Sequence, residues 1–171
     1  LFTVKEKRGR LEGLALAYVG DGNNVAHSLL LGGAKTGMHV RVAPPTGFEP
    51  IPQVVHRAEE IAAEAGGGIS VTNDPAVAEA GADILYTDVW ASMGQEDEAE
   101  ERALVFTNYR LDEAAVHRAG DDVLVMHCLP AHRGHEISDA VIDGPHSVVW
   151  DQAENRLHAQ KALLLWLLDR A

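Results

Sequence analysis

Three observations predict a Rossmann-like, doubly wound α/β domain, with a parallel sheet of about five strands and helices on both faces. Short apolar runs alternate along the chain with stretches of helical periodicity. The apolar runs lack the in-out alternation of a half-solvated strand, which marks strands covered on both faces. Gly, Pro, Asn and Asp gather at the junctions between the two kinds of segment, as turn and cap chemistry requires.

Leu14 to Val19 reads as the first strand, closed by Gly20-Asp21-Gly22. Asn23 or Asn24 caps a helix over about Val25 to Thr36, which Gly37 stops. His39 to Ala43 is a second strand, ended by Pro44-Pro45. From Pro52 to Ala65, the residues Val54, Val55, Ala58, Ile61 and Ala62 share one helical face, and three glycines follow. Ile69 to Thr72 is a third strand, and Asp74-Pro75 opens a short helix to Ala80. Ile84 to Thr87 is the fourth strand and Val123 to His127 the fifth. Between them lie an acidic helix over residues 96 to 106 and another from Leu111 to Ala119. A last helix covers about Ala153 to Arg170. Its stretch Ala162 to Leu168 is apolar all round, so it either packs over a sheet edge or meets another domain or subunit. Leu1 to Arg10 reads as the end of a helix that began earlier.

Composition narrows the function. A net charge of -12 and a pI near 5.0 argue against nucleic-acid binding and suit a small cationic ligand. The lone cysteine, Cys128, permits no internal disulfide and fits a reducing, cytoplasmic setting. The sequence lacks the long apolar run of a membrane span, and the charged first residues do not form a signal peptide.

In an open parallel sheet, ligands bind beyond the carboxyl ends of the strands. Three polar segments fall there: Gly20 to Asn24, Asp88 to Glu96, and Cys128 to Pro130. The first is not a dinucleotide fingerprint, because Val25 stands where the third glycine belongs and no acidic residue closes strand two. One Asn is explained as a helix cap; the second is left to face a ligand. Asp88 either caps the next segment or holds an ammonium group. Cys128 is either a small buried hydrophobe or a ligand-facing thiol. His127, His132 and His135 lie near it, but their spacing matches no zinc pattern. Strand alternation puts His127 on the opposite face from Cys128, which speaks against a thiol hydrolase. Leu129-Pro130 is a candidate cis peptide.

These segments, together with Glu154-Asn155-Arg156, resemble the ornithine-binding second half of the ornithine carbamoyltransferase family, over essentially the whole chain. Ser92-Met93-Gly94 and His127-Cys128-Leu129-Pro130 are the specific part of the likeness. The resemblance implies transfer of a carbamoyl group from carbamoyl phosphate to the δ-amine of ornithine, with no cofactor and no metal. It implies that Asn24 and the Met93 backbone bind the ornithine carboxylate and that Asp88 and Ser92 hold its α-ammonium. Cys128 would lie beside the δ-amine. The Cys128 and Leu129 carbonyls would accept from the carbamoyl NH2, and Arg156 would help bind carbamoyl phosphate. The family's Ser-x-Arg-Thr-Arg phosphate loop is not in this sequence. Residues 1–171 are therefore expected to be the ornithine-binding domain, with residues 1–10 closing an interdomain helix. The carbamoyl-phosphate domain, which carries most contacts of the family's trimer, is expected to be a separate, missing part. A non-catalytic amino-acid-binding module and a carbamoyltransferase for a related amine are the competing readings.

Overall fold

The computed structural model describes residues 1–91, 94 and 96–169. Five parallel strands form one sheet: β1 (Ala15–Val19), β2 (His39–Ala43), β3 (Gly68–Val71), β4 (Ile84–Thr87) and β5 (Leu124–His127). Their order is β3-β2-β1-β4-β5. The α/β class and all five strands read from the sequence are present, each within a residue or two of its expected bounds.

The helices are α1 (Phe2–Arg8), α2 (Asn24–Lys35), α3 (Pro52–Ala65), α4 (Pro75–Glu79), α5 (Ala99–Phe106), α6 (Glu113–Ala119), α7 (Asp139–Ile142) and α8 (Val149–Leu168). Local chemistry starts them. Asn23 accepts from the Val25 amide, Asp74 from Ala76 and Asp112 from Ala115, each satisfying an orphan N–H of a first turn. Gly66 ends α3 at φ 79°, a left-handed position that costs glycine nothing.

Successive strand residues feed two cores. Leu16, Tyr18, Ile84 and Met126 pack under α1, α2 and α3. Ala17, Val19, Leu85 and Val125 pack with Ala78, Ala115 and Val141 of α4, α6 and α7. This covering of both faces is fullest at the inner strands β1 and β4, whose residues are all buried and mostly apolar.

Two expectations are corrected. The last helix begins at Val149, four residues earlier than its periodicity implied, and the short α7 was not expected. Nor does the apolar end of α8 lie over a sheet edge. Leu163 to Leu168 are 50–74% exposed. The first half of α8 is docked through Lys7–Asp151 at 2.6 Å and through Asn155 bonded to Thr3 and Glu6 of α1. No helix of the described residues is long and apolar enough to cross a membrane.

Candidate functional site

The register places the site. Val19 pairs with Ala43, and Thr87 with His127, so the strands end nearly level. The strand order reverses direction at β1, between β2 and β4, and this switch point opens a crevice at the carboxyl ends. Gly20 to Asn24 leave β1 there, Asp88 leaves β4 and Cys128 leaves β5. Thr87 Oγ1 donates to Val19 O at 2.7 Å and holds the crevice floor together.

Asp88 and Cys128 meet directly. The thiol donates to Asp88 Oδ1 at 2.9 Å, and the same oxygen accepts from the Val89 amide at 2.8 Å. Burial first, then the bond to Asp88 and its negative charge, push the Cys128 thiol up to about 12. At neutral pH the sulfur therefore carries its proton and is no general base. The resulting scarcity of thiolate has a measurable sign. Raising the thiol from its ordinary 9.0 cuts the thiolate fraction near neutrality about a thousandfold. The higher intrinsic nucleophilicity of that thiolate returns part of the loss. Iodoacetamide should alkylate Cys128 several tens of times more slowly than free cysteine at about pH 8, with a rate still climbing above about pH 10. A rate matching free cysteine would contradict this environment.

His127 is fully buried behind the thiol. Its Nδ1 accepts from the Leu129 amide at 2.8 Å, which leaves the ring proton on Nε2, 3.1 Å from Glu136 Oε1. Glu136 Oε1 also accepts from the His132 amide at 2.6 Å. Because β5 ends at His127, strand alternation does not extend to Cys128, and the opposite-face expectation is corrected. Among the described residues, Asp88, His127 and Cys128 each bring one potential ligand atom within 4.8 Å of the others. Both His127 nitrogens are already engaged and the thiol proton points at Asp88, so this is a hydrogen-bonded cluster rather than an open ligand set. Leu129 sits at φ 55° and its bond to Pro130 is cis, as the turn chemistry suggested. A non-glycine residue there costs about 1–3 kcal/mol.

Asn23 is the helix cap and Asn24, the next residue, is exposed at the crevice. Arg156 lies on α8 and borders an open groove of about 710 Å³ with Cys128, Leu129 and Gln160. Ser92 and Met93 lie outside the described residues. Sequence reasoning missed Arg102. Its guanidinium, largely buried, donates to Asp21 Oδ2 at 2.7 Å, to Trp90 O at 2.9 Å and to Glu98 at 3.1 Å, with the Phe48 ring 5.0 Å away. One side chain thus ties the loops after β1, β2 and β4. A single Arg inside an acidic run gave no sequence signal for that role.

Fold and site together define a doubly wound ligand-binding domain with its pocket at the sheet's switch point. The family model for the Asp/Orn-binding domain of aspartate/ornithine carbamoyltransferases matches residues 12–167, and the chain belongs to that family. It is 67% identical over 169 residues to an ornithine carbamoyltransferase of Parafrankia sp., covering 99% of this chain and 53% of that protein. The solved ornithine carbamoyltransferase of Pyrococcus furiosus is 57% identical, with a TM-score of 0.91 over 95% of this chain and 52% of that one. A structure of an N-acetyl-L-ornithine transcarbamylase is 30% identical, with a TM-score of 0.81 over 94% of this chain and 52% of that one. The chain thus spans about half the length of the curated relatives it matches.

Proposed function

We propose that the chain is the ornithine-binding half of an ornithine carbamoyltransferase, which makes L-citrulline and phosphate from L-ornithine and carbamoyl phosphate in the cytoplasm. The observation that carries this reading is the Cys128–Asp88 contact across the ends of β5 and β4. It sets a neutral thiol and a buried carboxylate side by side, a pairing suited to a diamino acid.

In this reading Asn24, with the Met93 backbone, takes the ornithine carboxylate, while Asp88 and Ser92 hold the α-ammonium. A plain diamine lacks the carboxylate that Asn24 reads. An alkyl ammonium has a pKa near about 10.4 and attacks nothing until it loses a proton. Desolvation at the buried end of the crevice favours the neutral amine, and the sulfur of Cys128 orients it without taking the proton. Cys128 and Leu129 carbonyls accept from the carbamoyl NH2, and Arg156 meets the phosphate along the open groove. Holding two bound reactants in line supplies up to roughly 7–11 kcal/mol of the barrier. The exposed apolar end of α8 is a seat for the carbamoyl-phosphate domain, which also carries the contacts of a trimer. The stronger likeness to ornithine enzymes than to the N-acetylornithine enzyme favours ornithine as acceptor.

Citrulline assay of this chain with ornithine and carbamoyl phosphate tests the division of labour. No product is expected from the chain alone, and product is expected once a carbamoyl-phosphate domain of the family is added. Turnover by the chain alone would overturn the half-enzyme reading. Activity of the reconstituted pair on putrescine or N-acetylornithine, with none on ornithine, would overturn the substrate.

A further inference from the structure

One nitrogen of Arg102 spans the ligand crevice. Arg102 and Phe106 are the buried residues of α5, one helical turn apart and so on one face. That face enters the gap between the loops after β1, β2 and β4. Arg102 Nη1 has two protons. One goes to Asp21 Oδ2 at 2.7 Å and the other to the Trp90 carbonyl at 2.9 Å. Both walls thus hang on a single atom, and the two acceptors cannot drift apart without breaking a bond. Nε donates to Glu98 at 3.1 Å, which fixes the plane of the guanidinium. Its carbon lies 5.0 Å from the centre of the Phe48 ring. Phe48 meets Phe106 edge-on at 4.9 Å, and Trp90 stacks on Phe106 at 5.9 Å. The Arg102 and Asp21 side chains are only 9% and 12% exposed, so salt screens the pair little.

The two walls carry the ligand contacts of the reading above. Asp21 stands three residues before Asn24, in the turn that the Asn23 cap joins to α2. Trp90 stands two residues after Asp88. We propose that Arg102 is a positioning residue for the amino-acid substrate: by joining Asp21 to Trp90 it sets the separation of Asn24 from Asp88. That separation has to match the carboxylate and ammonium of an α-amino acid, which share one carbon. The proposal rests on the assignment of Asn24 and Asp88 to those two groups. Lysine cannot do the same work. It is a point donor with no second nitrogen for Glu98 and no plane to lay over Phe48.

Steady-state kinetics of the two-domain enzyme proposed above, with each substrate varied in turn, is the test. Arg102→Met alone strands the Asp21 carboxylate. The variant to read is therefore Arg102→Met with Asp21→Asn, which removes both charges. Any rise in KM that survives there comes from placement and not from repulsion of the ligand's carboxylate. KM for ornithine should rise about tenfold, as loss of one hydrogen bond to a charged group would give. Both kcat and KM for carbamoyl phosphate should stay within about twofold. A merely structural role would instead lower kcat and weaken both substrates together. Asn24→Ala is assayed alongside. A raised KM for ornithine in Asn24→Ala, with a parental KM in the double variant, overturns the role of Arg102 and leaves the reading of Asn24 intact. A parental KM in Asn24→Ala overturns that reading, and this proposal with it. If the double variant does not fold, Arg102→Lys takes its place, since it keeps the charge. A KM for ornithine raised about threefold then supports the positioning role, and a parental KM overturns it.

Discussion

In the two-domain enzyme proposed above, Asp88→Asn is expected to lower kcat/KM for ornithine by two to three orders of magnitude and to leave KM for carbamoyl phosphate nearly unchanged. Asp88 is buried, and its Oδ1 already accepts from the Val89 amide and the Cys128 thiol. An asparagine oxygen can keep those two bonds. Its NH2, however, would face the ornithine α-ammonium with donors where a carboxylate oxygen stood. Removing one partner of a buried charge pair costs about 3–5 kcal/mol, and each 1.36 kcal/mol is about a factor of ten. Steady-state kinetics with each substrate varied in turn checks both halves of the expectation. An unchanged kcat/KM for ornithine removes Asp88 from the binding site. A parallel fall in affinity for carbamoyl phosphate would point to a collapsed site instead of a lost contact.

Gly22→Ala is expected to destabilise the isolated chain by about 3 kcal/mol. A methyl group at this position would overlap backbone atoms of Phe48, Glu49 and Pro50. The Gly22 amide also donates to Phe48 O at 2.8 Å, so the two loops cannot part without losing that bond. Flexible side chains can yield to an added methyl; two backbone segments tied to β1 and β2 cannot do so cheaply. For a domain of this size, the loss corresponds to a melting temperature lower by about 6–12 °C, read by calorimetry or circular dichroism. The strain falls two residues before Asn24, so on the proposed reading ornithine affinity should fall with it. A variant that melts with the parent would show that the loop after β2 moves aside freely.

The fold was legible because its evidence is local. Each strand is a short, mainly apolar run, α2 has its Asn23 cap and α3 an apolar stripe closed by Gly66, so β1 to β5, α2 and α3 could be read within a few residues. The short α7 and the early start of α8 were not. Asp143-Gly144-Pro145 punctuates that region like a loop, and Val148 and Val149 are β-branched. The site was legible in part. Asn23 as cap with Asn24 left over follows from capping chemistry, and Asp88 and Cys128 follow from their place at strand ends. The polar partners were not legible. Arg102 meets Asp21 across 81 residues, Tyr86 meets Gln152 across 66, and His127 meets Glu136 through a loop. Such pairs leave no periodicity in a single sequence. Only the topology brings them together.

The strand order also dictates when the pocket comes into being. Its walls leave β1, β4 and β5, and β4, which follows β2 and β3 in sequence, pairs with β1 on the side opposite them. A polypeptide emerging in sequence has no thiol wall until residue 127 is free to dock against Thr87. Closing contacts of such long range is slow. A ligand held at the ends of all three strands therefore rewards only the completed sheet. By linkage, the proposed ligand ornithine, at a hundred times its Kd, would add about 2.7 kcal/mol to global unfolding. That protection should appear together on the amides of β1, β4 and β5, because none of them can open without dissolving the pocket.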